Sequence, residues 1–226
     1  MKPTLAVFDF DGTLTARDTS LAFLAFAAGR RRLVASLARG VPDFVADFAA
    51  AYREGKGTVR DRWEVAVHDR LLAALFTGTS APALRDLGRK FAAERLDSWV
   101  TKAGLEQVAW HRAQGHRCVL VTASLDRYAE PWGWRAGFHD VIASRISHDI
   151  RGVILGGFHD APCWGDEKVA RLRAVVGPIE RWTTVVYGNE PSDLPLLRRA
   201  DHPVRVTRAG SWKRLSADVR ARLHAA

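Results

Sequence analysis

The residues best able to do chemistry come early, at Asp9-Phe10-Asp11-Gly12-Thr13, directly after the apolar run Leu5-Ala6-Val7-Phe8. Side chains alternate between the faces of a strand, so a strand over residues 4 to 10 would deliver Asp9 and Asp11 to the same side. Gly12 then lets the backbone turn sharply. Two carboxylates this close suit a nucleophile and a proton carrier, and equally the oxygen shell of a small divalent cation such as Mg²⁺. Alone, the pair also suits a solvated turn or a helix cap. The two readings part on whether the other groups that phosphate chemistry needs follow downstream.

Three such groups do follow. Val121-Thr122-Ala123-Ser124 closes the apolar run that begins at Cys118, and it offers hydroxyls and free backbone amides ahead of a helix, an anion site in principle. Gly165-Asp166-Glu167-Lys168 places a lysine in the first turn of a predicted helix, and Tyr187-Gly188-Asn189-Glu190-Pro191-Ser192-Asp193 forms an acidic, amide-bearing loop after a strand. Each signal is modest alone, since hydroxyls cap helices and lysines cover their surfaces. Their order along the chain is what carries weight.

The elements that must position these groups divide the chain in two. From Leu21 to about Leu96 the spacing is helical, with pieces predicted over 21–28, 33–37, 44–52, 59–76 and 83–96. Breaks are expected at Gly40-Val41-Pro42, Gly55-Lys56-Gly57 and Thr77-Gly78-Thr79-Ser80. After Gly104 helices and strands alternate, with strands over 118–121, 141–143, 183–187 and 204–206 and helices over 167–176, 194–199 and 211–224, the order of a parallel α/β sheet. Residues 145–150 and 153–157, joined through Arg151-Gly152, read as a hairpin. The expected architecture is an α/β, Rossmann-like, doubly wound parallel-sheet core from residues 1–16 and 97–226, with a helical cap domain from residues 17–96 inserted after the first strand.

Bulk composition narrows the partners. The 226 residues carry 34 Lys and Arg against 25 Asp and Glu, a formal charge of +9 that favours anionic partners, although an Arg-rich composition can also reflect genome bias. The two cysteines, Cys118 and Cys163, have no metal-ligand spacing and are expected as reduced thiols, and the histidines show none either. No apolar stretch approaches the ~20 residues of a membrane span and no leader opens the chain, so a cytoplasmic protein with at most peripheral membrane association is expected. Trp132, Trp134 and Trp164 with the basic Arg30-Arg31-Arg32 run are open to a membrane-interface reading, against core packing of the tryptophans.

The four ordered motifs, Phe8 to Thr15, Leu120 to Ser124, Gly165 to Lys168 and Gly188 to Asp193, resemble those of the haloacid dehalogenase superfamily of phosphohydrolases. The helical insertion is similar to the cap of the subfamily that contains phosphoserine phosphatases. Asp11 to Thr15 with Arg17-Asp18-Thr19, and Thr122 to Asp126 with Tyr128 and Pro131-Trp132, resemble bacterial phosphatidylglycerophosphatase-C-like and phosphoserine-phosphatase-like hydrolases. The resemblance implies Asp9 as nucleophile and Asp11 as general acid and base, working through an aspartyl-phosphate. It implies phosphate contacts from Gly12, Thr122, Ala123 and Lys168, and Mg²⁺ held by Asp9, Asp11, Asn189 and Asp193. Asp18 falls where phosphoserine phosphatases read the substrate's amino group, or it caps the following helix, and Arg60, Arg62 and Arg70 either meet an anionic tail or face solvent.

One position departs from the family pattern. Asn189 stands where a first aspartate is usual. Either Asn189 serves as a neutral ligand, or Glu190 or Asp193 takes over, or activity has been lost. The expected function is Mg²⁺-dependent hydrolysis of a small phosphorylated metabolite or a phospholipid headgroup phosphate, with water or an alcohol as acceptor. The competing reading is an inactive module that binds nucleic acid or acidic membrane through its basic surface. An intact acid pair would repel phosphates, which weighs against a nucleic-acid partner.

Overall fold

A computed structural model describes residues 2–54, 59–189, 191–206, 212, 218, 219 and 223. In chain order the elements are β1 (Thr4–Phe8), α1 (Ser20–Ala28), α2 (Arg30–Glu54), α3 (Val59–Phe76), α4 (Ala81–Glu94), α5 (Lys102–Ala113), β2 (Arg117–Leu125) and α6 (Asp126–Arg135). There follow β3 (Asp140–Ser144), β4 (Ile146–His148), β5 (Ile154–Phe158), α7 (Asp166–Val176), β6 (Thr183–Gly188), α8 (Leu194–Leu197) and β7 (His202–Arg205). Strands β3-β2-β1-β6-β7 form one parallel sheet in that order, and β4 and β5 form an antiparallel hairpin.

Alternation along the central strands divides the core. Ala6, Phe8, Cys118, Leu120, Val185 and Tyr187 pack on one face of the sheet, while Leu5, Val7, Val119, Val121 and Val186 pack on the other against α7 and α8. Apolar residues at every position of Leu5 to Phe8 are what a parallel strand covered on both faces requires. The expected α/β sheet is therefore present; Asp9 and Asn189 follow the ends of β1 and β6, and Thr122 lies where the register of β2 with β3 shifts. Open parallel sheets place their ligand sites at the carboxyl ends of their strands.

Helices α1 to α4 occupy the chain between β1 and α5, and they are held unequally. α4 lies on α6 so closely that Gly88 faces the Arg127 carbonyl, where a Cβ would stand 2.1 Å away. Phe91 of α4 and Phe23 of α1 meet at a 5.4 Å centroid distance, and both reach Tyr128 on α6. The apolar cluster on this side of the sheet thus runs without a break into α1, α3 and α4. α2 and α3 pack on each other, and α3 also rests on β5.

Three local expectations change. The first strand stops at Phe8, so Asp9 and Asp11 are not related by strand alternation. The pieces expected over 33–37 and 44–52 are one helix, which continues through Gly40-Val41-Pro42. Proline removes one backbone donor, but packing against α3 spans the defect. Before the proline Arg32 donates to the Leu75 carbonyl at 3.0 Å, and after it Trp63 Nε1 donates to the Phe44 carbonyl at 2.9 Å and Arg70 holds Asp47 at 2.5 Å. α4 begins at Ala81 with Pro82 inside its first turn, where a missing N–H does no harm, and Ser80 caps it through the Ala83 N–H. The break expected at Gly55-Lys56-Gly57 lies outside the described residues, as does most of 211–224, of which Trp212, Asp218, Val219 and Leu223 are helical.

Candidate active site

Asp9 follows β1 in extended conformation, and its N–H donates to the Tyr187 carbonyl at 2.9 Å, which ties it to β6. Its carboxylate accepts from Lys168 Nζ at 2.8 Å, and the same ammonium reaches Asp193 Oδ1 at 2.5 Å. All three are buried. Lys168 comes from the first turn of α7, and Asp193 from a tight turn ahead of α8. Asp193 folds back onto the end of β6, where its Oδ2 accepts the Asn189 N–H at 3.0 Å. Gly188 permits this, because a Cβ there would lie 2.7 Å from that of Asp193.

Asp11 faces a different set of partners. Its Oδ1 accepts the Thr19 N–H at 2.9 Å, and its Oδ2 accepts Ser124 Oγ at 2.5 Å and Thr19 Oγ1 at 3.2 Å. Thr19 in turn meets the Tyr128 hydroxyl at 3.1 Å. The hydroxyl of Thr122 accepts the Ser124 N–H at 3.0 Å, which fixes the end of β2. The hydrogen bonds of Ser124 and Thr19 were not legible in the sequence. Both had a signal, Ser124 in the run Val121 to Ser124 and Thr19 in Arg17-Asp18-Thr19, but neither signal named Asp11 as the partner.

Electrostatics divides the two acids further. Burial first, and then the Asp193 carboxylate, raise the Asp9 pKa to about 7, against the opposing pull of Lys168. Burial first, and then Asp18, raise Asp11 to about 6, while hydrogen bonds from Ser124 and Thr19 draw it down. The neighbour that presses most on Asp9 is therefore Asp193 and not Asp11, contrary to what their sequence spacing implies. Burial would lower the Lys168 ammonium, yet Asp193 and Asp9 hold it above the ordinary lysine value.

The donors around Asp9 suit a small hard cation. Asp9 and Asp193 supply carboxylate oxygens and Asn189 an amide oxygen, the type of ligand that Mg²⁺ takes. Two buried carboxylates share one ammonium, which leaves the cluster one positive charge short. Asn189 Oδ1 accepts from Thr13 Oγ1 at 3.2 Å, and Gly12, at φ +72°, leaves room for the amide, since a Cβ would stand 2.1 Å from Asn189 Nδ2. Among the described residues no three His, Cys, Asp or Glu side chains gather as a metal cage. Glu190 lies outside the described residues.

A cavity of about 510 Å³ opens from this point, lined by Asp9, Asp11, Gly12, Thr122, Ala123 and Lys168 at one end. Asp18 also lines it, with Oδ1 accepting the Ser20 N–H at 2.8 Å at the start of α1. Asn189 and Asp193 are not part of the wall, although Ser192 between them is. Arg70 is exposed and paired with Asp47, and the side chains of Arg60 and Arg62 lie outside what is described. Trp132 is buried with its Nε1 on Asp97, Trp134 is exposed, and Trp164 lines the cavity. α3 contributes Trp63, Val67 and Leu71, and beside them Glu64, His68 and Leu72. Their i, i+4, i+8 spacing was the available signal for this wall.

Comparison with known proteins agrees with this geometry. The family model for haloacid dehalogenase-like hydrolases matches residues 6–198. Protein CicA of Caulobacter vibrioides is 32% identical over 200 residues, which cover 88% of this chain and 84% of that protein. A protein of unknown function from Bordetella pertussis Tohama I superimposes with a TM-score of 0.70 at 23% identity, over 98% of this chain and 97% of that one. Phosphoserine phosphatase from T. onnurineus gives a TM-score of 0.52 at 19% identity, over 96% and 95% of the two chains. With acid pair, hydroxyl, lysine and acidic loop assembled at one sheet edge, and with the model spanning most of its length, the chain belongs to the haloacid dehalogenase-like hydrolase family.

Proposed function

We propose that the protein is a phosphomonoester hydrolase that works through an aspartyl-phosphate on Asp9. The observation that carries this reading is the asymmetry of the two buried acids. Asp9 sits against Lys168, whereas Asp11 sits in a hydroxyl cage with a pKa near 6, within reach of neutral pH for a group that must give and take a proton.

An Asp9 carboxylate oxygen attacks phosphorus, and the bond from phosphorus to the ester oxygen breaks. Asp11 gives its proton to the departing alkoxide. Water then attacks the phosphoryl group and passes a proton to Asp11, which releases inorganic phosphate and restores both acids. Thr122, the Ala123 amide and Lys168 steady the phosphoryl oxygens, while Gly12 keeps the backbone close to them. Asp9, Asn189, Asp193 and the Asp11 carbonyl would hold Mg²⁺, which when bound neutralises charge between nucleophile and phosphate. Helices α1 to α4, residues 17–96, act as the cap over the site. Among the described residues no helix is long and apolar enough to cross a membrane.

The test is phosphate release with Mg²⁺ from para-nitrophenyl phosphate and from a panel of metabolite and lipid phosphomonoesters, with Asp9→Asn as control. Turnover that disappears in the control is expected. Equal release by both proteins, or none from any ester by wild type, overturns the reading.

A further inference from the structure

We infer that the alcohol part of the substrate is a hydrocarbon, so that the enzyme cleaves the phosphate monoester of an apolar, single-chain alcohol to that alcohol and inorganic phosphate. The inference rests on the phosphomonoesterase reading and concerns the other end of the same cavity. Beyond Asp9 and Lys168 the wall is made by Leu24, Leu37, Val67, Leu71, Leu72 and Phe158. A serine, sugar or glycerol moiety placed there would lose its water and find few partners, a cost that a hydrocarbon does not meet.

The polar side chains on that wall, Arg17, Asp18, Ser20, Glu64 and His68, are a minority of its lining. Asp18 caps α1 through the Ser20 N–H, His68 Nδ1 lies 2.8 Å from the Glu64 carbonyl, and the Arg17 guanidinium stacks 5.6 Å from the Trp99 ring centroid. The volume of about 510 Å³ leaves room for an alkyl chain beyond the phosphoryl group. An apolar track also continues outward. Trp63 on the wall meets Phe48 at 6.3 Å, edge to face, and Phe48 is half exposed on α2 beside exposed Val45 and Tyr52.

The experiment measures kcat/KM with Mg²⁺ for ethyl, butyl, hexyl and decyl phosphate, beside para-nitrophenyl phosphate, phosphoserine and glycerol 3-phosphate. A rise of up to roughly fourfold per added methylene is expected, flattening once the cavity is filled, with both polar esters below butyl phosphate. Leu37→Asn, at a half-buried wall position, should cut the ratio of hexyl to ethyl phosphate at least tenfold, a change that a purely structural role would not produce. Decyl phosphate offered dissolved or in phosphatidylcholine vesicles separates a free ester from a bilayer-borne one. Turnover of para-nitrophenyl phosphate with no dependence on chain length, or with phosphoserine at or above hexyl phosphate, overturns this inference alone. Silence with every ester overturns the phosphatase reading and this one together.

Discussion

At one end of the cavity a single buried ammonium lies 2.8 Å from Asp9 and 2.5 Å from Asp193, and at the other the wall is Leu37, Val67 and Leu71. The charged end is drawn from β1, β2, α7 and the turn after β6, elements far apart in sequence and locked by hydrogen bonds to the sheet edge. The apolar end is drawn from neighbouring helices whose contacts are mainly with each other and with the hairpin. The first end is suited to stabilising charge in a fixed geometry, and the second to setting which alcohol can enter. On the proposed reading, chemistry and selectivity are carried by separate pieces of chain.

The sharpest way to break this division is Asp9→Asn. Phosphate release should fall at least about a thousandfold, while thermal stability at pH 8 is kept, because a buried charge is removed. A rate within tenfold of wild type would sink the nucleophile assignment. Lys168→Met comes next, since it leaves Asp9 and Asp193 facing each other without a cation. Breaking a buried pair costs about 3–5 kcal/mol, readable in denaturant unfolding at pH 8. The Asp9 pKa near 7 lies above its unfolded value, so the folded state holds the extra proton and this contribution to stability is lost as pH rises through about 7. The Lys168→Met penalty should therefore be smaller at pH 5, and equal losses at both pH values would contradict the charge argument.

The helical end is tested by Gly88→Ala. Its methyl group would meet the Arg127 carbonyl and push α4 from α6, with an expected loss of about 1–3 kcal/mol. An unchanged melting temperature would mean that α4 is not anchored to the core as described. The smallest effect concerns Mg²⁺, whose ligands must be deprotonated. Because the Asp9 proton leaves near pH 7, Mg²⁺ at ten times its Kd should add about 1.4 kcal/mol at pH 8 and distinctly less at pH 5.5. Asn189→Asp adds a charged oxygen and should lower the half-saturating Mg²⁺ concentration; equal half-saturation would count against Asn189 as a neutral ligand.

Much of the charged end was readable from residue order, because its chemistry demands particular side chains at particular strand and helix ends. Asp9, Lys168 and Asp193 each fell where a strand stops or a helix starts, and Thr122 where the register of β2 breaks, places that local pattern marks well. The reading failed where packing overrode local preference. Pro42 reads as a helix end, yet α2 continues because α3 holds both of its halves, at Arg32 before the proline through the Leu75 carbonyl and at Phe44 after it through Trp63. The apolar wall was less legible, since leucines at helical spacing look the same whether they face a core or a cavity.

By itself the sequence determined the parallel α/β sheet, the helical segment after its first strand, and which acid, hydroxyl and lysine belong to one site. These follow from periodicity and side-chain chemistry, both local properties of the chain. Only the tertiary structure decided which acid neighbours which. It set Asp193 and Lys168 against Asp9, and Ser124 and Thr19 against Asp11, although the two acids are one residue apart. β1 ends at Phe8, so strand alternation no longer fixes where the two carboxylates point, and elements that meet only in the folded state supply their partners.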